Sequence, residues 1–293
     1  MFGRFSKLLL ALLTTSCTRA ASVPESVPGP DPGTVTSPAP STASAGRSWT
    51  ITPGTQPREY LSTTSVTLEL ISDTAAIRDS FAQRVRFTLL TASASGSTSF
   101  LGSINSLTTD AGNRVGPVEL LPTFPITFTG HITDKTVILD ALNGQPRQST
   151  IECSDPALSA LSVIHRNIII LPARLVQGMT WKDSTSINGC NGMIPITTIS
   201  IRTYSVIDEA EAGGRPAILL NRTEKFLSTG EGSQNQHRIL ITTEGTGTAK
   251  IYIDRVSGML LDSEGEQRAD ITLRGGRLQR FSQTARERTT TER

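Results

Sequence analysis

From about Arg58 to Ala285, apolar side chains return at every second position, and this period constrains the fold more than any other feature of the chain. Val66, Leu68 and Leu70 alternate with Thr67 and Glu69; Val85, Phe87 and Leu89 alternate with Arg86 and Thr88; Ile199 and Ile201 alternate with Ser200 and Arg202. Successive side chains of a strand point to opposite faces, so each segment carries one apolar and one polar side. Antiparallel sheet buried on one face has this pattern, and the isoleucines of 199–203 are expected to face the core. Further strands are predicted over Ser97–Leu107, Ile126–Ile132, Thr136–Leu142, Ala217–Leu227, His237–Asp254, Met259–Ser263 and Ala269–Ser282. Asn143-Gly144 and Ser257-Gly258 supply turn signals between such runs.

One helix interrupts the strands. Asp155 suits its cap, Pro156 its first turn, and Leu158, Leu161, Ile164 and Ile168 fall on one face. The β-branched run Ile168–Ile170 and then Pro172 end it, so the spacing predicts a helix over about Pro156 to Asn167 that packs on a sheet.

The N-terminus reads as an address. Arg4 and Lys7 precede the apolar run Leu8–Leu13, and Thr14, Thr15 and Ser16 follow it, the order of a secretory signal over residues 1–16. The run falls short of the roughly 20 apolar residues that a membrane span needs. Residues 17–57 are dominated by Pro, Ser, Thr, Ala and Gly, a composition that buries too little surface to offset its ordering entropy, so a disordered linker is expected there. Residues 286–293, "RERTTTER", are expected to be a disordered, solvated tail.

Charge and cysteines narrow the function. The formal charge is +2, and loss of Arg4 and Lys7 with the signal brings it to zero, so the chain offers no basic footprint for nucleic acid. Beyond Cys17 only Cys153 and Cys190 remain. In an exported protein such a pair commonly forms a disulfide, the alternative being two free buried thiols. The absence of C-x-x-C and the scatter of His131, His165 and His237 argue against a metal site.

The stretch "LLLALLTTSCTRAA" resembles the signal of bacterial lipoproteins, in which the cysteine after a small residue is acylated; Cys17 is the matching position. Thr14 stands where that pattern wants an aliphatic residue, which leaves ordinary cleavage after Ala20 or Ser22 as the alternative. Thr18 after the cysteine implies, by the enteric sorting rule, an outer-membrane address facing the periplasm. Farther along, "ILPARLVQGMTWKDS" and "GTAKIYIDRVSGMLLDSEGE" resemble a broad group of bacterial lipoproteins. Those proteins share a Gly-x-x-Trp turn and an Asp-x-x-Ser/Thr-Gly-x-Leu phrase, filled here by Gly178 and Trp181 and by Asp254, Ser257, Gly258 and Leu260. The usual acidic residue of that Trp turn is replaced by Met179. The resemblance implies a half-barrel similar to lipoprotein carriers, whose concave face holds acyl chains. The expected fold is therefore mainly β: a curved antiparallel sheet, either a half-barrel or two β lobes, with one short helix packed on it and a disordered tether before it. "GRSW" at 46–49 and "GMTW" at 178–181 suggest two related halves, 58–150 and 170–285.

Catalytic motifs are missing. There is no G-x-S-x-G elbow, and "GTGTAK" at 245–250 lacks Walker spacing, so Gly245 and Gly247 are expected to mark a turn or bulge. Asn221-Arg222-Thr223 reads as a solvent-facing strand segment, and Asp110, Asp134, Asp140 and Asp254 as turn residues. Each histidine is expected to be structural or solvated. The expectation is a lipid-anchored protein of the bacterial cell envelope, without enzyme activity, cofactor or metal. It would hold a membrane through Cys17 and bind a lipid or acyl chain; the alternative is an envelope scaffold that binds a protein partner.

Overall fold

The computed structural model describes residues 46–71, 77–94, 97–110, 123–133, 136–146, 153, 157–191, 194–234, 237–275 and 277–292. The signal, Cys17, Asp155 and Pro156 lie outside them. The strands are β1 (Ser48–Thr50), β2 (Arg58–Ile71), β3 (Ile77–Ala94), β4 (Ser97–Asp110), β5 (Ile126–Thr133), β6 (Thr136–Leu142) and β7 (Gln145–Pro146). The helix α1 (Ala157–Asn167) follows, and then β8 (Arg174–Val176), β9 (Thr180–Asn191), β10 (Ile194–Ala212), β11 (Arg215–Gln234), β12 (His237–Asp254), β13 (Leu260–Gly275) and β14 (Arg277–Thr291).

Twelve strands form one curved sheet in the order β5-β4-β3-β2-β14-β13-β12-β11-β10-β9-β6-β7, and β1 pairs with β8 in a small second sheet. The antiparallel ladder does not close into a barrel: β6 pairs with β5 along one side and touches β9 through a single parallel pair, Thr136 with Ser186. The two-lobe alternative is thereby overturned. β14 lies between β13 and β2, which joins the two parts of the chain in one sheet. The two Gly-x-x-Trp segments sit in different settings, since Trp49 belongs to β1 and Trp181 to β9.

The turns follow local chemistry. Asn143 and Gly144 both take positive φ, as a two-residue hairpin turn requires, and Gly213-Gly214 does the same between β10 and β11. Asp254 accepts hydrogen bonds from the amides of Val256 and Ser257 and from Arg58 Nη2, which fold the chain back into β13. These bonds overcome partial burial and hold its carboxyl at about 2.

Three boundaries differ from the pattern-based expectation. Residues 46–57 are not linker: Trp49 is buried in the core and its indole Nε1 donates to Glu209 Oε1 at 2.9 Å, so one aromatic ring outweighs the polar composition around it. The expected tail is strand as far as Thr291, because its threonines and arginines complete the ladders to β13 and β2 and Thr289 is wholly buried. The expected strands 259–263 and 269–282 divide elsewhere: β13 takes in the first, the polar stretch Ser263–Arg268 and the start of the second, and the rest of the second belongs to β14.

The helix packs against β9, β6 and β4, the seam where the sheet's ends approach each other. Ile164 and the following Ile168 are buried, as their spacing predicts. The Cys153–Cys190 disulfide ties the segment before the helix to the end of β9. The inner faces of β2, β3 and β12–β14 lie away from the helix's main contacts.

Candidate functional site

The inner face of the sheet has three zones. Near the helix end, Tyr60, Phe87, Tyr204, Leu220 and Ile253 belong to the main core, where Tyr60 stacks on Phe87 and Trp181 on Tyr204. At the far end Ile194, Ile196, Ile241, Ile271 and Phe281 form a second cluster. Between them runs a polar belt.

β10 sets that belt by an inversion of its expected face. Ser200 and Arg202 are each 1% exposed, whereas Ile199 and Ile201 are 46% and 51% exposed. The register is held by the same strand on either side, where Ile194, Ile196, Tyr204 and Val206 all point inward; a one-residue slip would expose all four. Arg202 stands opposite Asp183 on β9 and Glu224 on β11, a row of alternating sign. Its Nε and Nη2 donate to the two Asp183 oxygens at 2.7 and 3.1 Å, and its Nη1 donates to the carbonyls of His165 at 3.0 Å and Ile168 at 3.5 Å. One buried guanidinium thus satisfies a carboxylate of the sheet and the carbonyl end of the helix.

His165 sits above this row. Its Nδ1 lies 3.3 Å from Thr185 Oγ1, and its Nε2 lies 3.5 Å from Ser200 Oγ and 4.0 Å from Glu224 Oε1. Burial, reinforced by the Arg202 charge, lowers its pKa to about 3 and keeps it neutral. Burial works against ionisation of Glu224, but Arg222 leads the surrounding charges that outweigh it and hold this carboxyl below its ordinary range. A histidine with two hydroxyls and a carboxylate resembles hydrolytic machinery in composition only. Ser200, Thr185 and Glu224 are all sealed from solvent, so no substrate carbonyl reaches either hydroxyl in this arrangement.

Open space begins where the belt leaves the helix. A groove with about 1170 Å³ of empty volume, counting the part continuous with solvent, runs along the inner faces of β2, β3, β12, β13 and β14. Its origin is a run of small residues: Gly265, Ala249 and Ala285 line it beneath a helix that leans the other way. Val66, Leu68, Phe81, Ile251, Leu260 and Ile271 supply apolar wall. Gln83, Gln267, Gln283 and Glu287 supply polar groups, and Arg166 reaches across from the helix to donate to Thr64 Oγ1 at 2.9 Å. The cations here face carboxylates: Arg166 lies 3.9 Å from Glu287, and Arg222 lies 3.8 Å from Glu224.

The residues singled out by sequence scatter across the molecule. Cys153 and Cys190 are joined, and Cys17 lies outside the described residues. His131 pairs with Asp140 at 3.0 Å on the surface, and His237 is exposed. Gly245 and Gly247 are not a turn or bulge: both sit within the unbroken ladder of β12, where Phe226 and Gln267 cross them closely. Arg222 points into the groove, so only Asn221 and Thr223 of that triplet face solvent. Among the described residues no group of three metal-ligating side chains occurs, and no helix is long and apolar enough to cross a membrane.

The fold and groove define a class: an open, curved antiparallel β sheet with a helix across its seam. No protein-family model matches the chain, and no curated protein matches it.

Proposed function

We propose that the protein is a non-enzymatic cell-envelope lipoprotein, anchored through Cys17 and facing the periplasm from the outer membrane, whose groove takes the apolar chain of a lipid. The groove carries this reading. Its aliphatic and phenyl wall suits an acyl chain, and the amides of Gln83, Gln267 and Gln283 suit a polar head. The sealed setting of Thr185, Ser200 and Glu224 around His165 supports a structural rather than catalytic role for this cluster.

The test is solvent extraction of the purified full chain followed by mass spectrometry, beside a mock purification and a variant in which Ala249→Trp fills the groove. A lipid at near one per chain, lost in the variant, is the expected result. Extracts of the parent chain that match the mock overturn the reading.

The scaffold reading rests on a different observation. Ile199 faces Leu227 across β10 and β11, Ile201 lies two residues along, and all three are exposed on the convex side. An exposed apolar cluster of this kind marks a protein contact when it is contiguous. Cross-linking in envelope extracts, lost on Ile199→Asp and retained on Ala249→Trp, would favour it.

A further inference from the structure

We infer that the end of the sheet beyond the groove docks on an anionic lipid bilayer. Leu240, Arg274 and Leu278 stand side by side on β12, β13 and β14, and one step along Arg280 stands opposite Ile71 of β2. Paired residues share a face, as do residues two apart on one strand, so all five lie on the same side of the sheet. Ile71 and Leu278 are 58% and 55% exposed, and Leu240 is 37% exposed. Arg274 and Arg280 are exposed as well.

Two features separate this patch from the rest of the surface. Elsewhere on the same strands arginines meet acids: Arg268 and Arg286 reach Glu266, and Arg288 reaches Asp262. Arg274 and Arg280 have no carboxylate within ion-pair distance among the described residues. The strand ends are also apolar on their other side, where Leu70, Ile239 and Leu273 pack on the far inner cluster. A sheet end that is aliphatic on both faces and carries unpaired guanidinium groups matches the membrane interface: aliphatic tips enter the acyl boundary and arginines meet phosphate oxygens. Ile271, at the same end, belongs both to that inner cluster and to the groove wall, so docking would bring the groove beside the lipid it is proposed to take.

The test is co-sedimentation of the full chain carrying Cys17→Ser with phosphatidylcholine vesicles, with and without roughly one third phosphatidylglycerol. Arg4 and Lys7 are common to every variant, so differences between variants report the patch. The chain is expected to partition more strongly onto anionic vesicles. Arg274→Gln with Arg280→Gln lowers that partition by roughly 25-fold, since each basic residue near an anionic surface contributes roughly fivefold. Leu278→Asp lowers it comparably, and Leu101→Asp, an exposed leucine of β4 away from the patch, leaves it unchanged. Circular dichroism confirms that each variant is folded. Equal partition of the parent and the arginine variant, or of the parent and Leu278→Asp, overturns the inference. Vesicle binding and extracted lipid are separate readouts, so docking and groove occupancy can fail independently.

Discussion

The Nη1 of Arg202 donates to the carbonyl of His165 while the rest of its guanidinium grips Asp183, so a single buried side chain holds the helix to the sheet. Truncating it leaves Asp183 charged in a dry site and strips the helix end of its donor. Breaking a buried pair from one side costs about 3–5 kcal/mol, and Arg202→Ala is expected to fall in that range by urea unfolding. Arg202→Lys loses the two-point grip on Asp183 and should be destabilised by a smaller amount. A loss below about 1 kcal/mol for Arg202→Ala would show that the helix is held by its apolar face alone.

The depressed pKa of His165 predicts acid sensitivity well above the range in which carboxylates titrate. In the unfolded chain the imidazole takes a proton near pH 6.5, but in the fold it stays neutral until about pH 3. Below 6.5 the unfolded state therefore binds more protons, and stability falls as pH falls. The slope is about 1.4 kcal/mol per pH unit, or roughly 2 kcal/mol between pH 6.5 and pH 5. His165→Gln, which cannot take that proton, should flatten this part of the stability curve. An unchanged slope in the variant would assign the acid sensitivity to other groups.

The periodicity is a reliable guide where one face of a strand is uniformly apolar. Thr136–Leu142 and His237–Asp254 match the observed β6 and β12 at both ends. It misleads at β10, where Ile199 and Ile201 point outward and the polar partners point inward. Alternation fixes that two faces differ, not which one is buried. The choice is made over the whole strand, where Ile194, Ile196, Tyr204 and Val206 share the parity of Ser200 and Arg202 and outweigh Ile199 and Ile201, and Arg202 is then paired with Asp183 and Glu224 from neighbouring strands. The groove is hidden for a related reason. Its floor is made of Gly265, Ala249 and Ala285, residues conspicuous only for the volume they leave empty once the sheet curves. The Cys153–Cys190 bridge is legible because the two cysteines beyond Cys17 leave a single pairing between them.

That bridge closes a loop with a sequence separation of 37 and anchors the approach to the helix. Its removal by Cys153→Ser with Cys190→Ser is expected to cost about 4 kcal/mol in the chain-entropy model. Thermal unfolding of the parent with and without reductant should reproduce the difference. Coincident transitions would mean that the unfolded chain is already restricted there.

Gly245 offers a test of how closely the polar belt is packed. In an open strand Gly→Ala is stabilising, because alanine has less freedom to lose on folding. At this position a Cβ would run into the ring of Phe226 and stand 2.6 Å from the carbonyl oxygen of Arg268. The steric effect should win, and Gly245→Ala is expected to destabilise by about 1–3 kcal/mol. Phe226→Leu shortens the side chain that crosses the glycine, so in that background the alanine should cost less. It will not be free, because the Arg268 carbonyl belongs to the β13 backbone and stays in place. A double-mutant cycle over Gly245 and Phe226 by urea unfolding measures this coupling directly. A coupling near zero would mean that the strand yields as a whole, and that the crossing of Phe226 over Gly245 does not limit what this position accepts.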